Sequence, residues 1–163
     1  MQHASAFPIL VAAIVAAVVT AGTVDQSKPD FSGEWILNRA ASVLSPGADG
    51  MQSGTLRIDH REPMFRYAAT FSAAGGTPIK YTFELPSDGR EVASGPQAAR
   101  SVGTLRWDAD ALILTSRIER PGGEMTIVFR YELVDGGRRL RAVERLRGSD
   151  HDQDNVWIFD RRQ

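Results

Sequence analysis

The densest run of oxygen donors in the chain is Asp150-His151-Asp152-Gln153-Asp154-Asn155. Oxygen ligands at alternate positions are what a hard cation such as calcium requires. The pattern then fails. Its sixth position is Asn155, where a calcium loop needs glycine for its sharp turn, and its twelfth is Arg161, where a bidentate glutamate belongs. A solvated hairpin loop is the better reading. The histidines His3, His60 and His151 share no spacing that would hold zinc. His60 has the parity of Leu56 and Ile58, so it should point inward, as a hydrogen-bonded core histidine rather than a haem or metal ligand. Cysteine is absent, which excludes disulfides, thiolate metal sites and the lipid-bearing cysteine of a lipoprotein. No nucleophile elbow or paired-carboxylate motif is present. We therefore expect no catalytic residue, no metal and no cofactor.

The side chains that could do work are instead those of a binding interior. Phe65, Tyr67, Phe71, Tyr81, Phe83, Met125, Phe129 and Tyr131 share one parity along their runs. An aromatic lining with a few hydroxyls suits a lipid-like or aromatic guest. Tyr67, Phe71, Tyr81, Phe83, Phe129 and Tyr131 are the candidate cavity lining. A small barrel can also fill its interior with side chains and leave no cavity. Glu144 shares the parity of Leu140, Ala142 and Leu146 and should point inward. A buried carboxylate needs a partner, for which Arg106, Tyr131 and His60 are candidates.

The outward arginines Arg139, Arg141, Arg145 and Arg147 form a basic stripe, which acidic side chains on neighbouring strands would neutralise. Formal net charge is −1, so no global field draws nucleic acid or acidic lipid.

These residues need a scaffold with a period of two. Leu56, Ile58 and His60 alternate with Arg57, Asp59 and Arg61. The same alternation recurs near 65–71, 79–85, 125–133 and 140–146, and 102–108 with 111–119 reads as a hairpin about Asp108-Ala109-Asp110. Gly75-Gly76, Pro86-Ser87-Asp88-Gly89, Pro121-Gly122-Gly123 and Asp135-Gly136-Gly137 punctuate it as turns. Arg90 to Ala93 reads as a short strand, and Val156 to Arg161 as the last one. The 163 residues suffice for one core. Sequential hairpins favour an antiparallel up-and-down barrel of about 8–10 strands.

Ahead of the strands, Phe7 to Ala21 is an uncharged apolar run of 15 residues. A bilayer-spanning helix needs about 20. The run suits the helix of a signal peptide, with Val19 and Ala21 as the small residues before a cleavage site after Ala21. Met1 to Ala6 carries no Lys or Arg, which leaves open a start further upstream. The expected organisation is a signal peptide over 1–21, a flexible lead over 22–30 and a barrel over 31–163.

Asp30-Phe31-Ser32-Gly33-Glu34-Trp35-Ile36-Leu37-Asn38 contains Gly-x-Trp at the start of the first strand. With the Trp107-Asp108-Ala109-Asp110 hairpin and the end Val156-Trp157-Ile158-Phe159-Asp160-Arg161, the chain resembles the lipocalins and the wider calycin superfamily. In particular it is similar to the small exported lipocalin-like proteins of bacteria. The resemblance implies that Gly33 lets the chain turn into the barrel and that Trp35 plugs its closed end. It also implies a late-strand arginine on that tryptophan, Arg161 first and Arg162 next. The usual Thr-Asp-Tyr and C-terminal helix are missing, and the segment 39–53 does not accommodate a helix-pair lid like that of intracellular fatty-acid-binding proteins.

The reading that follows is a secreted or periplasmic, non-enzymatic barrel that binds a small apolar or aromatic ligand. It has no nucleic-acid partner and no membrane span once the signal is removed, and its oligomeric state is open. The alternatives are a cell-envelope structural or interaction module with a filled barrel, and an isomerase-type enzyme on the same fold.

Overall fold

Alternating apolar and polar side chains become strands wherever the alternation runs. The computed structural model describes residues 27–96, 100–148 and 152–163. The signal-like segment 1–21, with His3, lies outside the described residues, as do Asp150 and His151 of the calcium-like run. Ten strands follow one another: β1 (Gly33–Leu37), β2 (Met51–Arg61), β3 (Met64–Ala73), β4 (Ile79–Pro86), β5 (Val92–Ser94), β6 (Ser101–Asp108), β7 (Ala111–Arg120), β8 (Gly123–Val134), β9 (Arg139–Gly148) and β10 (Gln153–Arg161). The short fifth strand lies slightly later than the sequence indicates, and β10 starts earlier, at Gln153. No α-helix occurs among the described residues.

All ten form one antiparallel sheet in the order β4-β3-β2-β1-β10-β9-β8-β7-β6-β5. The first and last strands pair, Trp35 opposite Arg161 and Leu37 opposite Phe159. The sheet curls into a nearly closed up-and-down barrel. Its one seam lies between β4 and the short β5 with β6. Near one end a strap crosses the seam: the Gly89 N–H donates to the Leu105 carbonyl at 2.9 Å and Asp88 bridges to Arg106.

The hairpin turns follow from residue chemistry. Asp135, Gly136 and Gly137 all have positive φ, at 53°, 66° and 81°, as the β8–β9 reversal requires. Residues 38–50, between β1 and β2, form turns rather than a helix pair. Asn38 organises their start, accepting from the Ala41 N–H and the Ser42 hydroxyl. Val43 then pairs with Val156 through two backbone bonds of 2.8 Å.

Outside, three of the four arginines of the stripe meet acidic side chains on neighbouring strands. Arg139 meets Asp160, Arg141 meets Glu132 and Arg147 meets Asp154, each at 2.8 Å. Such exposed pairs contribute at most about 1 kcal/mol each. Inside, Phe31, Trp35, Phe65, Leu105, Leu112 and Leu140 have no accessible surface and anchor the core.

Candidate functional site

The barrel interior divides into three regions along its axis, each built from inward residues of several strands. The closed end is a plug. Trp35 is fully buried, and its indole Nε1–H donates to the Phe31 carbonyl at 3.1 Å. The Arg161 guanidinium lies over its ring, 4.1 Å from the centroid. It donates to the Ser32 carbonyl at 2.7 Å and the Gly137 carbonyl at 2.9 Å. Gly33 has φ +139°, and a Cβ there would meet Arg161 Nη1 at 2.8 Å. Arg162 instead lies outside, paired with Glu34.

Beside the plug is a second polar knot. His60 is buried and accepts from the Phe31 N–H at 3.4 Å through Nδ1. Its Nε2 meets Glu62 Oε1 at 2.9 Å, and the Trp107 indole N–H reaches the same oxygen at 2.8 Å. The Ser87 hydroxyl donates to Glu62 Oε2. Partial burial pushes the Glu62 carboxyl up, but the donors Ser87, His60 and Trp107 outweigh it and hold the group below its ordinary value. A carboxylate surrounded by donors is a structural tie. The serine faces the carboxylate rather than the histidine, so no nucleophile–base pair forms.

The middle of the barrel is aromatic. Phe83 stacks on Tyr67 with ring centroids 4.7 Å apart, and Tyr67 lies 6.3 Å from Tyr131. Tyr131 stacks on Phe129 at 5.5 Å, and Phe71 packs on Trp157 at 5.3 Å. Four of the six candidate lining residues therefore meet here, Tyr67, Phe83, Phe129 and Tyr131, while Phe71 packs on Trp157, Phe159 and Tyr81. Tyr81 departs from the expectation. It shares their face but is 53% exposed. Its half of β4 borders the seam, and the three residues of β5 are too few to cover it.

Glu144 lies in this middle region, 8% exposed. Its partners are not Arg106, Tyr131 or His60. Arg106 is exposed on the outer face, and His60 is tied up at the plug. The Asn155 amide and the Trp157 indole N–H both donate to Glu144 Oε2, each at 2.8 Å. Both partners lie on β10, where period two from Arg161 gives Phe159, Trp157 and Asn155. That period is present in the sequence, in residues whose composition reads partly as loop. Burial, reinforced by the Glu144 charge, pushes the Tyr67 hydroxyl well above its ordinary value. Burial, with Tyr67 and Glu144, does the same for Tyr131.

At the seam a pocket of about 190 Å³ opens between β4 and β5–β6. Phe83, Leu85, Val92, Gly103, Leu114 and Ser116 are among its walls. Phe83 is shared with the aromatic middle, where it stacks on Tyr67, while Tyr67 and Tyr131 themselves do not line the pocket. A larger hollow of about 550 Å³, at Asp135, Arg138, Arg139 and 160–163, is an open surface feature outside the barrel. Among the described residues no three His, Asp or Glu side chains are placed to hold a metal ion, and no helix is long and apolar enough to cross a membrane.

No known sequence family matches the chain, and no curated protein matches it. Solved structures do match in fold. Zebrafish ileal bile acid-binding protein complexed with cholic acid aligns with 81% of this chain and 98% of its own, at 13% identity and a TM-score of 0.51. A mutant of the fluorescent protein UnaG aligns over 82% and 96% at 18% identity and 0.50. Rv2717c from M. tuberculosis aligns over 82% and 93% at 16% identity and 0.50. At such identities the likeness is one of fold alone, that of an antiparallel up-and-down β-barrel.

Proposed function

We propose that the protein is a non-enzymatic carrier or sensor that holds a small apolar or aromatic ligand inside the barrel. The observation that carries this reading is the aromatic middle with its buried Glu144 and tyrosine hydroxyls, which Phe83 separates from a solvent-open pocket at the seam. Apolar walls with a few placed polar groups are the usual make-up of a small-molecule site. The similarity in fold to a bile acid-binding protein supports the same reading. The apolar run Phe7–Ala21 supports export, to the periplasm or the medium, with a mature chain starting at Gly22. The likeness to exported lipocalin-like proteins of bacteria belongs to this reading.

One observation favours a second reading, an envelope module with a filled barrel. The seam pocket, at about 190 Å³, is smaller than the roughly 300–1,000 Å³ of typical ligand sites. A carrier of this kind would have to open by moving Phe83 and Tyr81 at the uncovered half of β4.

Titration with fluorescent lipids and aromatic dyes, followed by tryptophan quenching and calorimetry, tests the choice. The carrier reading expects saturable binding, at about micromolar affinity because a guest loses its free motion. A panel in which nothing binds would favour the filled module.

A further inference from the structure

The middle of the barrel holds one carboxyl side chain, and among the described strand residues no cationic side chain of inward parity lies beside it. Glu144 is the only acidic side chain among the described strand residues with inward parity. The inward-parity arginines are two. Arg161 is engaged at the plug by Trp35, Ser32 and Gly137. Arg120 is exposed at the far end of β7, opposite Gly123. Gly123 is six residues along β8 from Phe129, the cross-strand neighbour of Glu144, a span of about 20 Å.

Both hydrogen bonds to Glu144 fall on Oε2. Among the described residues Oε1 accepts none, and the Tyr67 and Tyr131 hydroxyls have no hydrogen-bond partner. None of the three atoms is sealed off: the fully buried side-chain polar atoms without a partner are Arg39 Nε and Ser45 Oγ, at other places in the fold. Three polar atoms in one largely buried region thus lack a protein partner among the described residues, while a small part of each stays within reach of solvent-sized space. Polar atoms in such a setting are ordinarily satisfied by something that occupies the space. Aromatic rings surround the carboxylate: Phe129 opposite it, Tyr131 stacked on Phe129, and Trp157 bonded to it. A carboxylate among aromatic faces is what recognises an ammonium group, through charge and through the ring quadrupoles.

We infer that the barrel selects an apolar amine: a protonated nitrogen held by Glu144 Oε1 among the Tyr67, Phe129, Tyr131 and Trp157 rings, with its apolar body running past Phe83 toward the seam. The inference rests on the carrier reading and names its ligand class. A fatty-acid carboxylate in the same place would lie beside Glu144 with no cation to neutralise it. Its burial next to a like charge would oppose binding. The amine's three N–H donors could serve the free carboxylate oxygen and a tyrosine oxygen together.

The experiment compares three probes with the same tail on the full chain near neutral pH: dodecylamine, dodecanol and dodecanoate, each below its aggregation limit, by calorimetry. Dodecylamine should bind at least about tenfold more tightly than dodecanoate. Glu144→Gln retains an oxygen for Asn155 and Trp157 and removes the charge. It should weaken dodecylamine about tenfold or more and leave dodecanol within about threefold. Because the head-group comparison is made on the wild-type protein, it decides the matter even if the variant folds poorly. Dodecanoate binding as tightly as dodecylamine would overturn the amine inference and keep the carrier. Dodecanol equal to dodecylamine, with no effect of Glu144→Gln, would overturn it in the same way. Failure of all three probes would overturn the carrier reading itself.

Discussion

Arg161 covers Trp35 at 4.1 Å while donating to backbone carbonyls of two different segments, Ser32 and Gly137. One guanidinium thereby ties the start of β1, the β8–β9 turn and the last strand to one indole. The cation–π contact alone is worth about 0.5–2 kcal/mol, more as water is excluded. Trp35 has no accessible surface, so its loss would leave a cavity. Trp35→Ala is expected to cost about 3–5 kcal/mol, read as a fall in the denaturant midpoint. Gly33→Ala should also destabilise, because its Cβ would displace Arg161 Nη1 and because φ +139° is strained for any side chain. An unchanged midpoint in both variants would mean that the plug does not hold this end closed.

The Glu62 knot sets the response to acid. Its carboxyl lies below its ordinary value of 4.5 in the folded chain. Asp30, bonded by the Ser32 side chain and backbone, also lies below its ordinary value. A depressed carboxyl stabilises the fold fully above its ordinary value and loses that contribution as pH falls through the lower, folded one. Thermal stability should therefore decline between about pH 5 and pH 2. Glu62→Gln should flatten part of that decline, since it removes one of the titrating groups. A variant whose melting temperature followed the wild-type pH profile would show that Glu62 does not contribute.

Alkaline titration reads the aromatic middle. The Tyr67 and Tyr131 hydroxyls are both displaced upward, burial being the first cause. Stability from this source is complete below the ordinary tyrosine value of 10.0 and falls as pH rises beyond it, because unfolding then releases protons. The chain has three tyrosines. The phenolate absorbance of Tyr67 and Tyr131 should emerge only with loss of the fold. Glu144→Gln should ease their ionisation, since its charge adds to both shifts.

The strands and their order are legible because the barrel has one wet and one dry face, so period two runs through nearly every element. The plug is legible because Gly-x-Trp is a local signal and Arg161 ends a clear aromatic-basic run. Tyr81 defeats its parity for a reason outside its own strand. Parity gives the face, but burial depends on what covers that face, and β5 shrinks to Val92–Ser94 beside it. The partners of Glu144 escape a local reading because β10 extends back through Asn155 into a segment whose Asp-rich composition reads as loop. The Glu62 knot joins residues up to 45 positions apart, and no local pattern reports such a contact.

The seam can be tested by filling it. Ser116 has inward parity, is partly buried and lines the pocket between β4 and β5–β6. Its hydroxyl pairs with that of Ser101 at 3.0 Å, a bond whose loss costs about 1 kcal/mol. Ser116→Trp would place an indole in a pocket of about 190 Å³ without intruding on the plug. The fold should survive, because the pocket is open to solvent on one side and the ring can rest against Phe83 and Leu114. If a guest enters through the seam, its association rate should fall about tenfold or more. Val43→Trp is the matching control. Val43 is 70% exposed on the connection between β1 and β2, away from the seam, so a ring there should leave association unchanged. Stopped-flow tryptophan quenching on the two variants measures both rates. Equal slowing in both would indicate entry elsewhere, and unchanged rates in Ser116→Trp would remove the seam as the route.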